Sequence, residues 1–246
     1  MRSLLPHADP VPQDELIEQY RYPAALERAY VRTNFVSSLD GGVQLDGKSG
    51  GLGNADDQRL LGLLRTLADV VLVGRVTSAA EAYGGVSAAE ERLAIRAKLG
   101  LAPVPPIAVV TASCAIDPQS SLFSGDVKPI ILTCEAAPVQ RRALLTAAGA
   151  DLAICGGERV DLPTALDALE QRGLYRVICE GGPHLAGGLA TADLIDEICL
   201  TLSPMLAGGD ALRMLEGPVP QLTRTLSLQG VLRSDDTGHL FLRYTR

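Results

Sequence analysis

From Val31 onward the chain alternates short apolar runs with longer amphipathic stretches. The runs Val31–Ser38, Asp69–Gly74, Pro106–Thr111, Pro129–Thr133, Asp151–Cys155, Arg176–Glu180 and Glu197–Ser203 read as strands. Between them, the spacing of apolar positions predicts helices near Ala55–Leu67, Ala88–Leu99, Val139–Ala148, Leu162–Arg172 and His184–Ala190. V-V-L-V-G and P-I-A-V-V-T are apolar almost throughout, as expected of strands covered on both faces. Alternation of strands with helices predicts parallel βαβ units. The tail breaks this rhythm. Leu226–Leu232 and His239–Tyr244 flank S-D-D-T-G and predict an antiparallel hairpin on the sheet edge. Residues 1–29 are Pro-rich and polar, with Leu16 and Ile17 in a short helix-like piece. They read as an N-terminal arm lying on one α/β domain that spans residues 30–246.

Composition narrows the class. The chain has 246 residues, 47% of them hydrophobic, yet only 4% aromatic and no Trp, so Val, Leu, Ile and Ala must build the core. A net charge of −7 without a long basic run argues against a nucleic-acid surface. No apolar run reaches the roughly 18 residues of a membrane span. The first residues, M-R-S-L-L-P-H-A-D-P, lack an apolar secretory core, so a cytoplasmic protein is the default. Cys114, Cys134, Cys155, Cys179 and Cys199 form no C-x-x-C pair and read as buried thiols. With His7, His184 and His239 as the only histidines, no metal site is expected.

The segment Val177 to Gly188, V-I-C-E-G-G-P-H-L-A-G-G, carries the most chemistry. It reads as a strand, one carboxylate (Glu180), a tight glycine turn, and a helix with Pro183 in its first turn. Free N–H groups at such a helix start favour a phosphate. Glu180 stands at the strand's carboxyl end, where open α/β sheets bind ligands. Further candidates come from T-N-F-V-S-S-L-D-G-G, where Asn34 is a polar residue inside a strand and Asp40 opens a turn. The loop D-G-K-S-G-G-L (Asp46–Leu52) lacks P-loop spacing and precedes a helix capped near Asn54. In A-D-V-V-L-V-G-R-V-T, Arg75 lies where it could meet a 2′-phosphate, or simply pair with Glu81.

Taken in order, these pieces resemble the reductase domain of riboflavin biosynthesis, the C-terminal half of the bifunctional pyrimidine deaminase/reductase. The anchors are S-L-D-G at Ser38–Gly41, L-L-R at Leu63–Arg65, V-G-x-x-T at Val73–Thr77 and E-G-G-P-x-L-A-G at Glu180–Gly187. D-L-I-D-E-I at Asp193–Ile198 and S-P-M-L-A-G-G at Ser203–Gly209 complete the set. The chain looks like a stand-alone actinobacterial-type reductase, with no H-x-E and P-C-x-x-C deaminase signature. The resemblance implies a dihydrofolate-reductase-like, three-layer α/β fold, with a mostly parallel central sheet and a C-terminal antiparallel hairpin. It also implies NADPH as cofactor. The L-T-L-S-P run near Leu200 could form the interface of a homodimer, or pack in the core.

The activity so implied is hydride reduction of a 5-amino-6-(5-phosphoribosylamino)uracil-like pyrimidine to its ribitylamino form. By the same resemblance Val36, Gly51, Thr77, Glu81 and Ser113 fall at cofactor positions, and Gly74 and Arg75, at the end of the V-V-L-V-G strand, are cofactor candidates by their place. Gly181, Gly182, Pro183, His184, Leu185, Ala186, Gly187 and Gly188 would wrap its pyrophosphate. Ser49, Arg65 and Glu180 fall at substrate positions, with Glu180 first and Asp40 second as catalytic candidates. Two departures stand out. Asn34 replaces a lysine common in bifunctional members, and Glu81–Val86 (E-A-Y-G-G-V) replaces D-D-P-x-L-x-x-R, whose Arg would help hold the substrate phosphate. Tyr83 could stack on a pyrimidine or pterin ring, or cover the core. Two alternatives therefore stay open: a dihydrofolate or pterin reductase, and a non-catalytic NADP-binding protein.

Overall fold

The computed structural model describes residues 10–45, 47–84, 90–125, 127–219 and 223–246. The expectations placed on residues 1–9, Asp46, Gly85–Ala89 and the start of the helix at Ala88 lie outside these residues. The strands are β1 Tyr30–Ser37, β2 Val70–Gly74, β3 Ile107–Val110, β4 Ile130–Thr133, β5 Asp151–Ile154, β6 Arg176–Cys179, β7 Glu197–Leu202, β8 Ser227–Arg233 and β9 Leu240–Thr245. They form one sheet in the order β5-β4-β3-β2-β6-β1-β7-β9-β8. All pairs from β5 to β7 are parallel, whereas β9 runs antiparallel to both β7 and β8. β7 is thus an interior strand, and its Leu200 packs toward Phe35, Val43 and Ala186.

The apolar runs explain the layers. In β2, Val71 and Val73 point to one face and Val70 and Leu72 to the other. The first face packs under α2 (Ala55–Leu67) and α5 (Val139–Ala147) through Leu64, Leu67 and Leu145. The second packs under α6 (Leu162–Glu170) and α7 (Pro183–Thr191) through Leu166, Leu169, Leu185 and Leu189. The remaining helices are α1 (Gln13–Gln19), α3 (Arg75–Ala80) and α4 (Glu90–Lys98), with a 3₁₀ turn at Ser121–Phe123.

One charged cluster at the amino ends of the strands was not anticipated. Arg32 of β1 and Glu197 of β7 are both fully buried and stand 3.0 Å apart. Arg243 of β9 donates its Nε to Glu197 at 2.7 Å. The arm closes this cluster. Arg32 donates to the carbonyl of Tyr20 at 2.7 Å and stacks 4.0 Å from the ring centroid of Tyr22. Tyr20 and Tyr22 are correspondingly buried. All five cysteines are buried and free, and burial pushes the Cys179 and Cys199 thiols up to about 12.

Candidate active site

The carboxyl ends of the parallel strands open on one cavity of about 980 Å³. It extends from the loop after β5, past the ends of β3 and β2, to β6 and β1. The position follows from the parallel topology, which places the connecting turns of successive units on the same edge.

The end nearer β3 and β5 has the features of a nucleotide site. Gly74 is the N-cap of α3 and Gly182 that of α7, and neither helix start has a side-chain cap. The N–H groups of His184 and Leu185 face no intrahelical carbonyl. The turn approaches β2 closely, with the Gly74 N–H donating to the Gly181 carbonyl at 2.7 Å. A Cβ on Gly181 would stand 2.8 Å from the Phe35 ring, and one on Gly182 would stand 2.4 Å from Thr77 Oγ1. Only glycine fits this crossing, and Gly181 also has φ +84°. Ser113, Arg75 and Arg159 line the same end, and neither arginine has an ion pair among the described residues. An uncapped helix start beside two unpaired guanidinium groups fits a dinucleotide with an extra phosphate.

At the other end, Glu180 is held rather than free. Its side chain is 4% exposed. Arg65, late on α2, donates Nε at 2.7 Å to one carboxylate oxygen and Nη2 at 2.6 Å to the other. The Tyr83 hydroxyl donates to the second oxygen as well. The Arg65 guanidinium also lies 5.3 Å from the Tyr83 ring centroid. Burial, and then the Glu180 charge, push the Tyr83 phenol far above its ordinary value. Asn34, Val36, Gln44, Ser49, Asp57 and Gln58 complete this end. Ser49 is latched to Glu81, to which its hydroxyl donates at 3.0 Å.

Val36, Ser49, Gly74, Arg75, Thr77, Glu81, Ser113, Glu180 and Gly182 through Leu185 all line the cavity. Other expected site residues do not. Asp40 is exposed in the turn after β1, where Ala207 and Gly208 donate their N–H groups at 2.9 and 2.7 Å. With the Ser38 hydroxyl, these bonds hold its carboxyl well below the ordinary range and tie it to the turn, apart from the residues that line the cavity. Arg65 stands behind Glu180, turning its Nε–H and one Nη2–H to that carboxylate, and is not among the residues that line the cavity. Ala186, Gly187 and Gly188 point into the fold. A Cβ on Gly187 would collide with the Glu216 carbonyl at 2.0 Å, and one on Gly188 would meet Leu162 at 2.9 Å. One helical turn separates Gly182 from Ala186, so the motif serves the cavity at its start and packing at its end. Gly51 packs toward Leu45. Tyr83 donates to Glu180 instead of covering the core alone.

A mostly parallel sheet with an antiparallel hairpin at one edge, a glycine crossing over an uncapped helix, and a carboxylate beside it define a nicotinamide-nucleotide reductase of dihydrofolate-reductase-like fold. The chain belongs to the RibD C-terminal domain family, whose model matches residues 29–239. It is 32% identical over 223 residues to the 2,5-diamino-6-ribosylamino-4(3H)-pyrimidinone 5′-phosphate reductase of Methanothermobacter thermautotrophicus, covering 89% of this chain and 98% of the relative. The Archaeoglobus fulgidus enzyme of the same name is 28% identical, covering 74% and 83%. Among solved structures, a pyrimidine reductase-like protein from Corynebacterium diphtheriae superposes with a TM-score of 0.81 at 28% identity, covering 93% and 98%. No described helix is long and apolar enough to cross a membrane.

Proposed function

We propose that this chain is a cytoplasmic, NADPH-dependent reductase that converts the ribosylamino group of a phosphorylated 6-ribosylaminopyrimidine to ribitylamino. The observation that carries this reading is the placement of Glu180 and Tyr83 in the same cavity as the glycine crossing and the unpaired Arg75 and Arg159. When bound, the cofactor supplies the hydride. Gly74, Gly182 and the start of α7 would hold its pyrophosphate, and Arg75 with Arg159 its 2′-phosphate. Arg65 fixes Glu180, and Glu180 fixes the phenol of Tyr83 by accepting its proton in a hydrogen bond. Tyr83 then offers its oxygen lone pairs to the substrate as an oriented acceptor. The ribosylamino group opens by breaking its C1′–O4′ bond, its N–H proton passing to O4′ to leave a C=N. Hydride adds at C1′ and the nitrogen takes up a proton from solvent, since burial keeps the Tyr83 phenol protonated. Asn34 lines the cavity, and its amide, which has no hydrogen-bond partner among the described residues, would meet the substrate. Arg65 does not line the cavity, so among the described residues Lys48, exposed on the rim loop between Gly47 and Ser49, is placed to meet the substrate phosphate.

Steady-state NADPH oxidation with the ribosylaminopyrimidine phosphate and with 7,8-dihydrofolate, side by side, tests this reading. Turnover of the pyrimidine alone, or far above dihydrofolate, is the expected result, and turnover of dihydrofolate alone overturns it. The pterin reading draws its support from the substrate end of the cavity, where no arginine lines the wall among the described residues. A homodimer is proposed as well. Leu39, Met205 and Leu206, exposed together beyond the ends of β1 and β7, supply the apolar face. A monomeric mass in solution would remove it.

A further inference from the structure

Glu180, Glu197, Asp196 and Asp57 are largely buried acidic side chains, and they divide into two kinds. Glu180 is held by Arg65, Glu197 by Arg32 and Arg243, and Asp196 by Arg28. The fourth, Asp57, is 7% exposed and has no cationic partner among the described residues. It sits in the first turn of α2 and, with Gln58 and Leu61, lines the substrate end of the cavity. A buried carboxylate without a partner is costly, and such groups persist where a ligand completes them. Its surroundings leave the cavity side open. Gly53 closes one side, since a Cβ there would stand 2.5 Å from Oδ2. Thr201, which faces Val36 across β1 and β7, stands beside it and lowers its pKa. His239 is the cation-forming group whose charge bears on it, but its two ring nitrogens are engaged by Leu52 O at 2.9 Å and Thr237 Oγ1 at 2.8 Å. Burial raises the Asp57 carboxyl above its ordinary value, as expected of a site that awaits donors.

We infer that Asp57 is the specificity residue of the substrate site, reading two adjacent N–H donors on the edge of a 2-amino-4-oxo-pyrimidine ring. A carboxylate presents two acceptors side by side, and in that ring N3–H and the 2-amino group present two donors at matching spacing. The uracil counterpart offers N3–H beside a carbonyl oxygen on the same edge, and the second carboxylate oxygen repels it. The substrate class is therefore a pyrimidine that still carries its 2-amino group, so the hydrolytic step removing that group must act after this reductase. The inference takes its ribosylamino substrate from the function proposed above, whereas the edge chemistry is shared with pterins.

The test measures kcat/KM by NADPH oxidation for three substrates: the 2,5-diamino-6-ribosylaminopyrimidinone phosphate, its uracil counterpart and 7,8-dihydrofolate. The parent should favour the 2-amino pyrimidinone over the uracil by about 100-fold or more, as sites that pair a polar edge reject its mismatch. Asp57→Asn presents one acceptor and one donor and should narrow or invert that ratio by about tenfold or more. The ratio is internal to one preparation, so partial loss of folded protein cancels. If the variant does not fold, the parent's ratio decides. Parity of the two pyrimidines in the parent, or an equal fall of both in Asp57→Asn, overturns the role of Asp57 and leaves the reductase reading intact. Turnover of dihydrofolate alone, lost in Asp57→Asn, upholds the edge reading while the pyrimidine reading falls. Absence of turnover with all three overturns both.

Discussion

Two Arg–Glu clusters sit at opposite ends of the same sheet, and the contrast between them explains much of this molecule. Glu197, Arg32 and Arg243 lie at the amino ends of the central strands, sealed under Tyr20 and Tyr22 of the arm. Glu180 and Arg65 lie at the carboxyl ends, where Tyr83 and the open cavity take the place of the arm. The chemistry of the two is nearly the same: a buried carboxylate gripped by guanidinium, with an aromatic ring beside it. The difference lies in which end of a parallel sheet they occupy. Helix starts and connecting turns gather at the carboxyl end, so a charge held there meets ligands, and a charge held at the other end meets only packing.

This comparison breaks first at the two carboxylates. Glu180→Gln keeps the volume of the side chain but weakens its grip on Arg65 and Tyr83. Turnover should fall by about 10²-fold, the cost of a misplaced group at the reacting centre, with NADPH affinity nearly unchanged. Near-parental kcat in a purified variant would remove Glu180 from the chemistry. Glu197→Gln should do the reverse. It leaves two guanidinium groups buried without their counter-charge and should destabilise by about 3–5 kcal/mol in denaturant unfolding, with kcat of the folded fraction little altered. A loss below about 1 kcal/mol would mean that the cluster contributes nothing net.

Acid sharpens the same contrast. Burial alone would raise the Glu197 carboxyl, but the charges and hydrogen bonds of Arg32 and Arg243 outweigh it and hold the group below its ordinary value of 4.5. Its folded pKa is therefore depressed, so its stabilisation is complete above pH ~4.5 and is lost as pH falls through the folded value. Unfolding free energy measured from pH 6 downward should drop less steeply in Glu197→Gln than in the parent. Equal slopes would show that other carboxylates dominate acid unfolding.

The sheet was legible because buried parallel strands leave near-continuous apolar runs, and the strands of the domain fall within a residue or two of those runs. α3 was not legible. Its six residues, R-V-T-S-A-A, follow β2 directly and have no capping side chain to mark a start. The site was half legible. Glu180 and the glycine turn are local in sequence, so one segment displays them. Arg159 lies in an ordinary G-G-E-R-V loop and reaches the cavity only because sheet order carries the end of β5 there. Asp57 reads in sequence as a first-turn acid of an exposed helix, and its burial comes from Gly53 and from Thr201 of a distant strand. Arg65 falls at a family position yet meets the cavity only through its neighbour: this α2 side chain turns its Nε–H and one Nη2–H to Glu180. In the buried cluster, Arg32 was itself a signal, a charge inside an apolar run that only a buried counter-charge explains.

Arg65→Lys probes the bond within the open cluster. Lysine keeps the charge but cannot form the fork, so Glu180 and Tyr83 lose their fixed geometry. kcat should fall by about tenfold for every substrate the parent turns over, a loss smaller than that of Glu180→Gln. KM for the substrate should change little, because the Arg65 side chain does not line the cavity. A selective rise in KM for a phosphorylated substrate would instead place the guanidinium on its phosphate.

The smallest expected effect lies at the far end of the cavity, where charges are neither gripped nor sealed. Arg75 and Arg159 line the nucleotide end from different elements, the start of α3 and the loop after β5. Arg159 is exposed, so solvent screens its attraction for a phosphate, and only the close, charge-assisted contact survives. Removing one such contact costs about 1.5 kcal/mol at the lower end of the usual range, roughly tenfold in affinity. Arg159→Ala should therefore weaken NADPH about tenfold in a fluorescence titration and leave NADH, which lacks the 2′-phosphate, almost unchanged. Added salt should shrink the parent's preference for NADPH toward that of the variant, because the same ions screen the same phosphate. The two clusters at the ends of the sheet should be indifferent to such salt, each being buried against its own partners. If Arg159→Ala weakens NADH as much as NADPH, the arginine supports the loop or the adenine and not the phosphate. If it weakens neither, the discrimination falls to Arg75 at the start of α3.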